Sequence, residues 1–443
     1  MAETAMLPGR RVHKRSSTLE RESMIALPHR RTVSITMVAC AAAAVGAGSA
    51  ASWGQLIREL RPITGYAQST AQSIDASGVV VGYSSGTADL PTVWRPTPSG
   101  YVADPLPLPP GTLSGGANAI AAGGLIIGYA QPEDTDIASP VVWTPAPGGG
   151  YTATPLPAPP LSNFAGAYSI NASGQVAGFA TFANGTTRAV VWSPVGGGYP
   201  AATVLPGVPN ETESNATVIT DAGLVGGYSI VPSFVSGQSL AATFWEPGAG
   251  GSYTPKRATA VDISDVVAFN ANGLGAGVLR DQPGAVAFYD GDYYVGELPM
   301  PNGSSGGEAN AINSLDFIVG AARDGETATP GFEAAMWVPT ENYWDFLNLD
   351  RWLNENDGGG AAWVLNMASA VNDGGLVAGN GVLGTGAAAL QRAYVLDASA
   401  LVPEPGAVAV LFLLPLLARP RRSQRASDDP SNQNGFPSPS TPV

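Results

Sequence analysis

Three features of this 443-residue sequence predict an all-β chain, a β-propeller of seven four-stranded blades closed by pairing the N-terminal strand into the last blade. First, a ten-residue motif, seen as Ser169-Ile-Asn-Ala-Ser-Gly-Gln-Val-Ala-Gly178, returns at Ser73–Gly82, Ala119–Gly128, Val218–Gly227, Ala268–Gly277, Ala311–Gly320 and Ala370–Gly379. The spacing averages roughly 50 residues, a period at which one unit is one blade. Second, the chain is poor in charge (13%) and holds 56 Gly and 38 Pro, so a large core requires mostly strand. Third, Leu56-Ile-Arg-Glu-Leu-Arg-Pro62 reads as a fourth strand without its first three, whereas the last copy, Ala370–Leu396, lacks a fourth. The two ends complete each other, as a closed ring requires.

Residues 1–51 read as a signal peptide with a long n-region. A charged stretch (Arg10, Arg11, Lys14, Arg15, Arg21) precedes Arg30-Arg31, an apolar run from Thr32, and Ala47-Gly-Ser-Ala-Ala51. Basic, apolar and small-residue regions in that order make a secretory leader, and a start at Met24 would give an n-region of ordinary length. A twin-arginine signal, a lipoprotein signal through Met37-Val-Ala-Cys40, and a membrane anchor are alternative readings. Removing the leader takes away His13, His29 and Cys40, the sequence's entire His and Cys complement. The mature chain then has no Ser-His-Asp triad, cysteine nucleophile, thiolate or imidazole zinc site, or disulfide. Residues 52–402 carry nine Arg and Lys256 against 29 Asp and Glu, a net charge of −19. That balance argues against nucleic acid and anionic membranes as partners.

Residues 52–400 form the seven repeats. Each opens with an apolar stretch that turns at Asn/Asp/Ala-x-x-Gly, the glycine supplying a positive φ; Asp316 replaces it once. A Val-rich strand follows, apolar on both faces as for a sheet packed between neighbours. It carries the motif's second glycine, at Gly82, Gly128, Gly178, Gly227, Gly277, Gly320 and Gly379, where close backbone approach leaves no room for a Cβ. The third part ends in an aromatic residue (Trp94, Trp143, Trp192, Trp245, Phe288-Tyr289, Trp337), with Val395-Leu396 in the last copy. The fourth runs from a tyrosine into prolines, as in Tyr101…Pro105-Leu-Pro-Leu-Pro-Pro110. Prolines here protect a blade's outer edge; a polyproline ligand is the alternative. Between the sixth and seventh units, Tyr343–Asn354 carries Phe346, Leu349, Trp352 and Leu353 at helical spacing, predicting a short covering helix or, alternatively, an aromatic platform.

On these residues the repeats resemble HAF-type repeats of exported bacterial proteins. Ser73–Trp94 and Ala167–Trp192 match best, with Pro-Thr-Val and Ala-Val-Val replacing His-Ala-Phe. The segment from Leu347 through Leu396 resembles the terminal unit of such proteins. The resemblance spans about 340 residues and brings no catalytic residue. Residues 401–425 resemble a PEP-CTERM sorting signal: Val402, Pro403, Glu404 and Pro405, a hydrophobic segment at 406–418, then Arg419, Arg421, Arg422 and Arg425. That implies export, membrane contact only through this segment, and processing by an exosortase-type enzyme. Thirteen apolar residues are short for a span of ~20, and the arginines would stay cytoplasmic. Pro415 and a polar tail at 426–443, predicted disordered, depart from the pattern.

Connections between second and third strands vary most in length, so a ligand face is placed at Gln131–Pro140, Ser229–Ala242, Ala321–Glu333 and Asn380–Gln391. Glu133, Asp134 and Asp136 are candidate Ca²⁺ ligands, against the alternative of a solvated acidic loop; no other cofactor is expected. Asp290, Asp292 and Asn354–Asp357 invite the same reading. The function predicted is an exported, surface- or matrix-associated binding or structural module, with extracellular polysaccharide or surface proteins as partners. A carboxylate-based glycoside hydrolase or lyase and a Ca²⁺-bridged surface-layer component are the alternatives.

Overall fold

The computed structural model describes residues 55–402 apart from 136, 234–236, 258–262, 280–281, 289–293, 302–303, 305, 324–330, 341–342 and 359. The leader, the tail at 426–443 and all of the sorting signal except Leu401 and Val402 lie outside the described residues. Among the described residues, no helix is long and apolar enough to cross a membrane.

The strands group into seven four-stranded sheets, each an antiparallel meander in chain order except where the ends meet. Blade 1 is Gln68–Ile74, Val80–Ser85, Asp89–Thr97 and Gly100–Pro105; blade 2 runs over 112–155 and blade 3 over 162–204. Inner strands contact their neighbours around the ring, ending with Trp363–Val371 of blade 7 against Gln68–Ile74. Closure comes from Ile57–Leu60, which pairs antiparallel with Leu390–Asp397 and supplies the outer strand of the last blade. Ile57 and Leu60 are fully buried there. Arg392 reaches Glu59 at 2.9 Å, and the Asp357 carboxylate accepts from the Leu56 amide at 2.7 Å.

Each blade's inner strand shifts register by one residue, at Gln72, Asn118, Tyr168, Thr217, Val267, Asn310 and Ser369. Such a bulge turns a carbonyl out of the ladder, and the motif's second glycine stands opposite. A Cβ at Gly82 would lie 1.9 Å from the Thr70 oxygen; at Gly128, Gly178, Gly227 and Gly320 the corresponding gaps are 2.0, 2.0, 2.0 and 1.9 Å, and at Gly379 2.3 Å. The close approach read from the sequence is therefore made within one blade. At the turn before it, Asp316 adopts φ 66°, the left-handed conformation its glycine counterparts use.

Between blades the core is stapled by indoles. Trp94, Trp143, Trp192, Trp245 and Trp337 are fully buried. Each donates from Nε1 to a carbonyl in the connection entering its blade: Arg61, Pro107, Pro157, Pro206 and Pro299, at 2.7–2.8 Å. Most prolines thus lie beyond the edge strands rather than in them. Their connections pack inward through Leu106, Leu156, Leu205 and Leu298, where a residue without N–H leaves no orphaned donor. The last blade has Leu396 at this position, and the connection entering it is instead helix α1 (Leu349–Asn356), capped by Asn348. Only the second half of the expected helical stretch is helix. Trp344–Asn348 is the fourth strand of blade 6, because Phe346 packs edge-on against Trp337 at 6.0 Å.

A seam of buried asparagines joins the first turns of neighbouring blades. Asn171, Asn270, Asn313 and Asn372 donate to Thr220, Asn313, Asn372 and Asp75 carbonyls at 2.9–3.2 Å. Their Oδ1 atoms accept amides of their own turns. At the closing seam, Asn380 also holds both the amide and the carbonyl of Ala71, at 2.8 and 3.0 Å.

Candidate functional site

Antiparallel meanders put second-to-third hairpins and inter-blade connections on one face of the ring. Of the stretches expected there, Ser229–Ala242 is mostly strand: Val225–Ser233 and Gly237–Pro247 extend one long hairpin, so its added length is paired rather than looped. Asn380–Gln391 likewise continues in strand through Leu383 before a short 3-10 turn at Gly386–Ala388. Glu133 and Asp134 are exposed on a turn, and the Glu133 amide donates to the Gly111 carbonyl of the connection entering the blade at 3.3 Å. Asp136, Asp290 and Asp292 lie outside the described residues. Among the described residues, no three acidic, His or Cys side chains gather where a metal ion could sit. Glu133 and Asp134, both facing solvent from consecutive turn positions, do not by themselves make the multi-oxygen cage that Ca²⁺ takes.

The face carries a different feature. A cleft of about 470 Å³ opens between blades 2 and 3, lined chiefly by Asn118, Tyr129, Ile137, Phe164, Tyr168 and Phe179. Its size falls in the range of small-molecule sites. Ile137 comes from the expected stretch Gln131–Pro140; the other five were not singled out by the sequence.

The cleft's walls follow from the bulges. In blade 2 the bulge residue is Asn118, which turns its amide across the seam to the Ala167 carbonyl at 2.9 Å. In blade 3 the same position is Tyr168, and its ring remains 42% exposed. Tyr168 stacks on Phe179, centroids 5.4 Å apart and planes 23° from parallel. Phe164 meets Phe179 edge-on at 5.3 Å. Phe179 lies flat because Gly166 is beneath it; a Cβ there would be 2.5 Å from its ring. Tyr129 is similarly seated over Gly116, where an added Cβ would be 2.8 Å from the ring. Burial raises the Tyr129 hydroxyl's pKa, aided by Asp89 and Tyr83, so it stays a protonated donor. Among the described residues, no charged side chain lines the cleft.

Beside this cleft, the connection entering blade 3 carries an apolar outlier. Leu161 adopts φ 67° and is 86% exposed. The matching connections use Gly111 (φ 79°) and Asn210 (φ 64°), residue types that visit this region readily. For leucine the conformation costs about 1–2 kcal/mol, and exposure returns none of it through burial. The signal for this site was a departure from the repeat. Blade 3 alone places aromatics at both Phe164 and Tyr168, where blade 1 has Gln68 and Gln72 and blade 2 has Ser114 and Asn118.

No protein-family model matches the chain, and no curated protein matches it. Solved structures similar to it include the β-propeller domain of the Trilobed protease from Pyrococcus furiosus, at 9% identity and a TM-score of 0.45, covering 75% of this chain and 96% of that one. The PQQ-bound aldose sugar dehydrogenase of Streptomyces coelicolor aligns at 13% identity and a TM-score of 0.36, covering 77% and 97%. Trypanosoma rangeli sialidase aligns at 8% and 0.36, covering 74% of this chain and 60% of its own. At these identities the likeness concerns fold alone. The chain is an all-β propeller of four-stranded blades whose first strand completes the last blade.

Proposed function

We propose that this protein is an exported, surface- or matrix-associated propeller that acts as a binding module, with the blade 2–3 cleft as its contact site. The observation that carries this reading is the cleft itself: ordered aromatic rings, partly exposed, on the face where connections and hairpins gather. A core role would bury such rings, and a solvated loop would not stack them. Export and sorting rest on the leader and on the resemblance of Val402–Arg425 to a PEP-CTERM signal. Val402 belongs to the same buried cluster as Leu396, and processing near Pro403–Pro405 would follow it directly in the chain.

The test uses the full chain and isolated cell envelopes and extracellular polymer of an exporting bacterium. Co-sedimentation is expected, and it should fall at least tenfold in the Phe164→Ala/Tyr168→Ala double variant. Failure of the unaltered chain to sediment would sink the binding role. Mass spectrometry of the C-terminus, with and without Glu404→Ala, reports processing separately.

A further inference from the structure

We infer that the blade 2–3 cleft takes a neutral sugar ring of a hexose polymer, seated on the Tyr168–Phe179 stack. This deepens the reading of the cleft as the contact site and depends on it. A pyranose has an apolar C–H face and a rim of hydroxyls. Its recognition therefore needs a flat, immobile ring with hydrogen-bonding groups at the margin, and the cleft offers both. Tyr168 is held near-parallel to Phe179 by packing, and Phe164 braces Phe179 from its edge. Prior ordering of these rings lowers the entropy lost on binding. At the margin stand the Tyr129 hydroxyl and the Asn118 amide, whose nitrogen is already committed to Ala167 and whose oxygen can accept.

Charge narrows the class. Among the described residues, the lining holds no ionised side chain to pair with sulfate or carboxylate. The −19 body repels polyanions at long range. The cleft is open at Tyr168, which is 42% exposed. Leu161, exposed and apolar, precedes the cleft's blade 3 wall in the chain. It lies three residues from Phe164, so within about 10 Å along the chain. Its strained and exposed conformation is kept where glycine and asparagine serve the equivalent turns. Strain kept without packing benefit is what a contact role at Leu161 would account for.

Affinity electrophoresis of the full chain in gels containing dextran, laminarin or yeast mannan tests this, with dextran sulfate and alginate as the anionic arm. At least one neutral polymer should retard the protein, and neither anionic polymer should do so more strongly. Tyr168→Ala should weaken retardation tenfold or more, and Tyr168→Phe by less than threefold, since stacking needs the ring and not the hydroxyl. Leu161→Gly should melt higher than the unaltered chain yet bind several-fold more weakly, a split that a purely structural residue would not show. The inference is overturned if no neutral polymer retards the chain, if Tyr168→Ala leaves retardation unchanged, or if the anionic polymers are preferred. Envelope binding that depends on Phe164 and Tyr168 but resists displacement by the neutral polymers would discard the sugar and keep the contact site. Absence of envelope binding would discard both.

Discussion

Replacing Gly178 by alanine tests the geometry on which every blade depends. The added Cβ would stand 2.0 Å from the Gly166 oxygen, 3.0 Å from its carbonyl carbon and 3.1 Å from the Ala167 Cα, all backbone atoms of the adjacent strand. Ordinary contact begins near 3.4 Å, so the inner and second strands of blade 3 must part by about 1.4 Å, nearly half the length of the N–H···O bonds between them. Overpacking of this kind costs about 1–3 kcal/mol. Two flanking ladder bonds stretched beyond hydrogen-bonding range add about 1 kcal/mol each. The sum, about 3–5 kcal/mol, is a large share of the ~5–15 kcal/mol by which a folded protein is stable. Gly148→Ala serves as the control, since its Cβ would meet nothing within 4 Å and its φ is not positive. That change should be neutral or stabilising by up to about 1 kcal/mol, through the unfolded chain. Urea unfolding followed by tryptophan fluorescence measures both. A Gly178→Ala midpoint matching that of Gly148→Ala would refute the bulge argument.

Three further outcomes follow from the closure, the seam and the helix. Leu60→Ala should cost about 2–5 kcal/mol in denaturant unfolding; a change below about 0.5 kcal/mol would show that Ile57–Leu60 does not close the ring. Asn372→Asp should lower stability at neutral pH by about 1–3 kcal/mol, because its turn survives, as Asp75 shows by accepting the Ser77 and Val79 amides, while the donor to the Asp75 carbonyl is lost. An unchanged melting temperature would remove the seam from the account. Burial pushes the Asp350 carboxyl above its ordinary value, partly countered by the Leu365 amide. A raised folded-state pKa favours the protonated fold, so this group's contribution grows as pH falls through the folded pKa and is complete below the unfolded one. Asp350→Asn should flatten the melting profile in the acid range just above the ordinary carboxylate pKa; an identical slope in the variant would contradict this.

What the sequence determined was whatever repeats. Seven copies of one glycine, five tryptophans and an orphan fourth strand at Leu56–Pro62 specified blade, core and closure, because each copy solves the same local problem of a bulged strand beside a flat one. Tertiary structure decided what crosses from one blade to the next. Asn171 and Asn372 read as ordinary turn residues, since their Oδ1 atoms do serve the turn; only the placement of the next blade gives each Nδ2 its carbonyl. The prolines read as edge protection because their own chain shows a missing donor, whereas the indole that uses their carbonyls lies 35 or more residues away. The aromatic cleft was hidden for the same reason. Phe164, Tyr168 and Phe179 belong to one blade and Tyr129 and Ile137 to another, and a ring of blades must first set the seam between them before their departures from the repeat become one surface.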